Sequence, residues 1–153
     1  MIILKCLLIG LGFLCMPVVW FCRSLFLGST SGVREFKELE DMGVESHARL
    51  TYLEPFGTRG SASAVYEIEV PGGDNVRKQT GVTATPDLVI GGTYPIVRHH
   101  QLPTRSYVGT MEEVVDWRKT HEKAAAGAKR IGRIAAALAV VSLVSGVLIV
   151  ALV

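Results

Sequence analysis

A long apolar segment lies near each end of this 153-residue chain, and most of the polar residues lie between the two segments. The first segment covers 2–22 with Lys5 as its one charged residue, and the second covers 131–153, with no charge from Ile134 onward. At about 1.5 Å per residue, each segment is long enough for a helix to cross most of a hydrocarbon core of roughly 30 Å. The pattern predicts two transmembrane helices in a multi-pass protein of the cell membrane, whose first partner is the lipid bilayer.

The N-terminal segment has a second interpretation, as a signal peptide that is cleaved. It has one Lys in a short leading region and an apolar stretch of suitable length. No small-x-small cleavage motif follows Trp20–Cys22, which favours retention of the segment as a helix. Whether it is ever cleaved stays open on this reasoning.

Small residues recur at helical spacing in the C-terminal segment, in the pairs Gly132 with Ala136, Ala135 with Ala139, and Ser142 with Gly146. Such pairs let two helices approach closely. They predict packing on the first helix, on other membrane proteins or on a second copy through self-association. The alternative is that they reflect only a high Ala and Gly content.

The charges beside the two apolar segments predict an orientation. Near the chain ends, Lys5 is the one basic side chain. The sides of the two segments that face the middle of the chain carry Arg23, Arg34, Lys37, Arg118, Lys119, Lys123, Lys129, Arg130 and Arg133. The positive-inside rule therefore places the middle of the chain in the cytoplasm. The opposite placement stays open, because the middle segment is longer than the loops for which the rule works best.

The overall charge is close to balanced, with 16 basic and 14 acidic residues, and no aromatic residues interleave with the basic ones. This composition excludes nucleic acid as a predicted partner. The basic cluster 118–133 is interpreted as an anchor for anionic headgroups or as ordinary flanking charge of a membrane span. The three cysteines, Cys6, Cys15 and Cys22, all lie in the first apolar segment and predict neither a disulfide nor a metal site.

The middle of the chain predicts a connector helix, a small β domain and a second helix. An amphipathic helix is expected over 33–42, with Gly43 at its C-cap. A juxtamembrane helix is expected over 111–130, with a capping box formed by Thr110 and Glu113. Between them, 44–109 alternates as four or five short antiparallel strands, which predict a barrel or sandwich.

The strand pattern is clearest around a predicted hairpin turn at Pro71–Asp74. Before the turn, Ala64, Tyr66, Ile68 and Val70 share one face of a strand. Further strands are expected over 76–82, 93–99 and 106–108. In the first strand, the predicted inward residues are Val44, Ser46, Ala48, Leu50 and Tyr52.

The order of elements resembles a bacterial family of membrane proteins of unknown function, in which two transmembrane helices flank a small β domain. The resemblance rests on the strand 64–70, the turn that follows it, and the strand 92–98 with the later turn Leu102–Thr104. It implies this fold and supplies no catalytic residues. The chain departs from the family pattern at His99-His100-Gln101.

The residues able to carry chemistry do not form a recognisable site. His99 and His100 are adjacent on a predicted strand and should point to opposite faces, and His47 is distant in sequence. The segment Gly60–Ala64 lacks the context of a nucleophile elbow, and Gly57–Gly60 lacks that of a phosphate loop. The acidic residues fit turns and exposed strand faces, namely Glu67, Glu69, Asp74 and Asp87. No catalytic, cofactor-binding or metal site is predicted, and no cofactor.

These patterns predict a membrane-anchored small β module that acts in protein interaction or assembly and is not an enzyme. Exposed strand edges are natural docking sites for other chains. The alternative is an accessory subunit of a membrane enzyme or transporter. Against it, neither span carries an interior ionisable residue of the kind that marks a transport pathway.

Overall fold

The computed structural model describes residues 2–56, 60–83 and 85–151, with the side chains of 2–9, 146 and 149–151 outside the description. The elements in chain order are α1 Ile2–Met42, β1 Gly43–Phe56, β2 Ser61–Ile68, β3 Val76–Thr83, β4 Thr93–His99, β5 Ser106–Val108 and α2 Met111–Ala151. The chain divides into a β unit, Glu35–Arg118, and a helical unit, Met1–Arg34 with Lys119–Val153.

The β unit contains one five-stranded, nearly closed antiparallel sheet with the strand order β3-β2-β1-β4-β5. The prediction of a small antiparallel β domain with four or five strands is confirmed, and the number is five. β1 lies at the centre because its 14 residues pair with β2 along one part and with β4 along another. All five strands belong to a single sheet in the described residues, so the sandwich alternative is not what forms.

The predicted inward face of β2 is confirmed, since alternate residues of this strand are buried. Its members join a core with residues of β1 and β4, namely Ala48, Leu50, Ala64, Tyr66, Ile68 and Ile96. The rings of Tyr66 and Tyr94 meet edge-on with centroids 5.9 Å apart. Val70, the last residue predicted to face inward, lies beyond the end of the strand at Ile68 and is half-buried.

A β-bulge changes the phase of β1, and the predicted inward position of Tyr52 is wrong. The register shifts between Leu50 and Tyr52, so Tyr52 is 50% exposed and Leu53 packs against the core instead. The Thr51 hydroxyl donates a hydrogen bond to the Val65 carbonyl at 3.0 Å. An extra residue in one strand reverses the alternation that follows it, which a period of two in the sequence cannot reveal.

β4 is buried on both faces, because the ends of the two helices nearest the sheet cover the face opposite the main core. Val97 on β4 packs with Leu39 of α1 and Val114 of α2, and all three are almost inaccessible to solvent. Phe36 meets Tyr107 edge-on, with ring centroids 5.6 Å apart. The β unit therefore extends beyond the predicted 44–109, since helix residues supply part of its core.

Side chains satisfy the first backbone N–H groups of α2 from two directions. The predicted capping box is confirmed: the Glu113 amide donates to the Thr110 hydroxyl at 3.3 Å, and the Thr110 amide donates to the Glu113 carboxylate at 3.1 Å. The Met111 amide donates to the Glu45 carboxylate at 2.9 Å. Because a helix leaves its first amides without internal partners, Glu45 adds a cap that connects β1 to α2.

α1 passes directly into β1 at Gly43, without a loop. The predicted end of the helix is confirmed, but Gly43 is not among the glycines with positive φ, so it does not form a left-handed C-cap. Its role is close approach: a Cβ there would lie 2.1 Å from the Leu39 carbonyl oxygen and 2.7 Å from a Val97 methyl group.

α1 is longer than the sequence pattern predicts. The predicted span 2–22 and connector 33–42 are parts of one helix, because 23–32 is helical as well. Thr30 supports this intervening turn through hydroxyl bonds to the carbonyls of Phe26 and Leu27, both at 2.9 Å. The juxtamembrane helix 111–130 continues without a break into the second apolar segment as α2, as the absence of proline between them predicts.

The two helices of the helical unit run antiparallel and meet through small residues. A Cβ atom built at Gly12 would contact Leu143, one built at Gly32 would contact His121, and one built at Gly132 would contact Cys22. These three contacts fix the register of the two helices. In the part of α2 that belongs to the helical unit, the buried positions among the described side chains are Ala125, Ala128, Ala135, Ala139 and Ser142. The small-residue face of α2 therefore packs on α1, one of the predicted arrangements. The predicted pair of Ser142 with Gly146 cannot be compared, since the side-chain position of residue 146 lies outside the description.

One helix in the described residues is long and apolar enough to cross a membrane. It is α1 over Gly10–Met42, with a mean hydropathy of 1.7 in its most apolar stretch. The predicted second span, 131–153, includes residues 152–153 and several side chains outside the description. The fold is thus two long helices flanking a five-stranded sheet, with one candidate span.

A charge placed on the inner face of β2 is expected to unfold the β unit. Tyr66→Asp or Ile68→Asp buries a carboxylate without a partner, which should cost more than about 3 kcal/mol in free energy of unfolding. The measurement is thermal unfolding of the full chain in detergent, followed by circular dichroism. Thr83→Asp, at the exposed last position of β3, is the control and should change stability by less than about 0.5 kcal/mol. Equal melting of all variants would contradict the assigned inward face.

Two glycines should respond in opposite directions to the same substitution. Gly43→Ala is expected to destabilise the β unit by about 1–3 kcal/mol, because the new methyl group meets backbone atoms that cannot move aside. Gly81→Ala on β3 has no atom within 4 Å of its Cβ and should be neutral or stabilising by up to about 1 kcal/mol. Chemical denaturation of both variants measures the difference, and equal effects would show that close packing is not the role of Gly43.

Candidate interaction surface

A cleft opens beside β1 because β2 ends before β1 does. The pairing of these strands stops at Ala48 with Ile68, whereas β1 continues pairing with β4 back to Gly43. In the described residues, the stretch Gly43–His47 therefore has a strand neighbour on the β4 side alone. Residues of the segment 69–75, which follows β2, also line this cleft.

This cleft, called here the β1 groove, has a volume of about 510 Å³ and is open to solvent. It combines polar and apolar side chains, namely Ser46, His47, Glu69, Val70, Pro71 and Asn75. Carboxylate, imidazole, amide and hydroxyl groups are all present, so the groove can donate and accept hydrogen bonds. An extended segment of another chain could add backbone hydrogen bonds along the unpaired stretch of β1.

The edge strand β3 offers a further free strand edge, and it is less suited to docking than the β1 groove. Alternate residues of β3 face the core, and Val76 and Val82 pack there. Lys78 lies on the same inward-facing side, opposite Tyr66 in the register. A charge on the inward side of an edge strand is a recognised way to prevent indiscriminate strand pairing. The β1 groove is therefore the better candidate.

The histidine pair does not follow the predicted arrangement on opposite faces. β4 ends at His99, so the alternation does not extend to His100, and the two rings stack with centroids 5.2 Å apart. His99 Nδ1 accepts hydrogen bonds from the Gln101 and Leu102 amides, both at 3.2 Å. His100 Nδ1 lies 3.2 Å from the Met42 carbonyl oxygen, which also accepts from the His100 amide. His100 therefore binds the C-terminal end of α1, whereas His99 binds the turn that follows β4.

The other residues singled out in the sequence lie apart from one another. Ser61–Ala64 is the start of β2, which is incompatible with a nucleophile elbow, and 57–59 lie outside the described residues. Glu69 lines the β1 groove, whereas Asp87 contributes its carbonyl to a hydrogen bond from the Tyr94 hydroxyl. No group of three or more metal-ligating side chains occurs in the described part of the chain.

The surroundings of Tyr66 and Tyr107 shift the pKa of each phenol. Burial raises the pKa of Tyr66 in the main core, and the neighbouring Tyr94 adds to this effect. Burial also raises the pKa of Tyr107, although a hydrogen bond with Trp117 acts in the opposite direction. Both phenols lie in packed clusters and not in the β1 groove, so these shifts reflect folding and point to no proton-transfer site.

Sequence reasoning found part of the groove and missed the rest. The turn at Pro71–Asp74 was predicted, and Glu69 was recognised as exposed. Ser46, predicted to face inward, is half-buried in phase with Ala48, and it also lines the groove. The groove arises from the unequal lengths of β1 and β2, 14 and 8 residues, which the alternation around each strand did not define.

Comparisons with models of protein families, with curated proteins and with solved structures give no match to this chain. The β1 groove and the basic residues of the helical unit are therefore interpreted from their own chemistry.

Proposed function

We propose that the protein is a membrane-anchored β module that binds an extended segment of a partner protein in the β1 groove. The observation that carries the proposal is the stretch Gly43–His47, which has a strand on one side and an open, mixed-polarity groove on the other. β-strand addition uses such an edge for affinity and the flanking side chains for specificity. The assignment as an interaction module in place of an enzyme is part of this proposal.

The charge of the β unit defines the chemistry of the partner. Residues 35–118 contain 13 acidic and 8 basic residues, and Glu69 lines the groove itself. Complementary charge steers association and suppresses wrong partners. The proposed partner segment is therefore extended and basic. A partner that belongs to a membrane enzyme or transporter would make this chain its accessory subunit.

The proposed anchor consists of two spans, one in α1 and one in the uncharged part of α2. The hydropathy of α1 and the absence of charge in 134–153 support it. The flanking basic residues support a cytoplasmic β unit. This arrangement also agrees with the proposed relation to a bacterial family with two spans around a β domain.

The orientation can be tested by labelling a single cysteine in intact cells. Gly73→Cys, in a background where the three native cysteines are replaced by Ala, places a thiol in the exposed turn before β3. An impermeant maleimide should label it after lysis and not before. A cysteine added by a short N-terminal extension is the matched control and should react in intact cells. Labelling of Gly73→Cys before lysis would contradict the cytoplasmic placement.

The groove can be tested with a photo-reactive amino acid at Asn75 in the full chain, irradiated in native membranes. The expected result is a discrete crosslinked product whose partner peptide contains Lys or Arg. Glu69→Lys should reduce its yield about fivefold or more, because the groove loses an acidic group and gains a like charge.

The control for this experiment is Asp87→Lys, which makes the same charge change at an exposed loop position outside the groove. Its crosslinking yield should match that of the unmodified chain. An equal yield in Glu69→Lys, or recovery of the chain as a monomer without any crosslinked product, would contradict docking in the groove. Thermal unfolding of both variants confirms that the fold is intact.

A further inference from the structure

The helical unit carries a one-sided charge distribution. Residues 1–34 and 119–153 contain eight basic residues and a single acidic one, Glu122. The basic residues are Lys5, Arg23, Arg34, Lys119, Lys123, Lys129, Arg130 and Arg133. Such a unit attracts anions, and the acidic partners that usually neutralise surface cations are almost absent from it.

An apolar groove lies between the two helices of this unit, with cations on its rim. Its volume is about 270 Å³, and its apolar lining comes from Val19, Cys22 and Phe26 of α1 and from Ala128, Gly132 and Ala136 of α2. Arg23, Lys129 and Arg133 border the same groove. The small residues of α2 leave it unfilled, and no ion pair or hydrogen bond joins the three cations to an acid in the described residues.

The helix register places these cations at the boundary of the apolar part. Cys22 faces Gly132, and Gly12 faces Leu143 further along. Residues 6–22 of α1 carry no charge, and neither do residues 134–153. Arg23, Lys129 and Arg133 lie close to the contact between Cys22 and Gly132, where the uncharged stretches end. In a bilayer, this is the depth at which acyl chains end and phosphates begin.

We infer that this groove binds one anionic phospholipid, with an acyl chain along Val19, Gly132 and Ala136 and the phosphate held by Arg23, Lys129 and Arg133. The inference rests on the two-span arrangement proposed above. Arginine forms paired hydrogen bonds to phosphate and lysine adds a point charge, so the rim suits a phosphodiester. The apolar lining suits a hydrocarbon chain and offers almost no polar group to a peptide.

A second copy of the chain is a poorer occupant of the groove. The same face of another helical unit would bring a second set of three cations against the first, and neither set has a neighbouring acid in 1–34 or 123–153. Like charges brought together at low dielectric oppose association. A phospholipid instead supplies the missing negative charge and the missing apolar volume together.

The test measures lipid retention by native mass spectrometry of the full chain in non-ionic detergent. Phosphatidylglycerol and phosphatidylcholine with the same acyl chains are added separately. One retained phosphatidylglycerol per chain is expected, with at least about fivefold less phosphatidylcholine. The double variant Lys129→Gln, Arg133→Gln should lower phosphatidylglycerol retention about tenfold or more, because each cation near a membrane surface contributes roughly a factor of five in binding.

Two matched controls test whether the loss of lipid is specific to the groove or follows from any change of charge or side-chain volume on α2. Arg130→Gln removes a nearby cation that does not line the groove, and Ala137→Leu adds bulk on an exposed face of α2. Both should retain phosphatidylglycerol normally, whereas Ala136→Leu should fill the groove and lower retention about fivefold. Excess glycerol phosphate should not displace the lipid, and displacement would instead indicate a site for a free phosphate.

The inference is overturned if both lipids are retained equally, if the groove variants behave like their controls, or if the chain forms lipid-free dimers. Extraction of vesicle-reconstituted chain with alkaline carbonate distinguishes this failure from that of the proposed anchor. A chain that carbonate removes lacks the two spans, and the lipid site falls with them. A chain that resists carbonate but shows no selective retention overturns the lipid site alone.

Discussion

The packing of two helix ends on β4 is the interaction on which the β unit depends. Val97 belongs to a face of the sheet that would otherwise be exposed to water. Leu39 of α1 and Val114 of α2 cover this face. Three local interactions hold the two helices in this position. Gly43 allows α1 to pass directly into β1, Glu45 caps α2, and the His100 amide donates a hydrogen bond to the Met42 carbonyl. A sheet of short strands needs such cover, since a few strands with one apolar face are marginally stable alone.

The two units differ sharply in charge, and the difference organises the proposals for both. The helical unit has eight basic residues and one acidic residue, whereas the β unit has an excess of five acidic residues. Anionic headgroups suit the first and basic protein segments suit the second. The near-neutral total charge hides this division, because the opposite excesses almost cancel.

Much of the fold was predictable from periodicity and from local signals. Alternation identified β2 and its buried face, the Thr110–Glu113 spacing identified the start of α2, and Gly43 marked the end of α1. The candidate groove was not predictable, because it depends on where β2 stops along β1. The inward position predicted for Tyr52 failed for a related reason, since the bulge at Leu50–Tyr52 is a relation between two strands.

The sequence by itself determined the order of elements, the apolar ends and the charges beside them, because these follow from local composition and period. Only the tertiary structure decided which surfaces those elements leave open. The small residues of α2 are compatible with several packing partners. In the structure they pack on α1, with Gly132 against Cys22, and a groove with cations on its rim lies between the two helices. Contacts between segments far apart in the chain depend on packing geometry, which no single segment encodes.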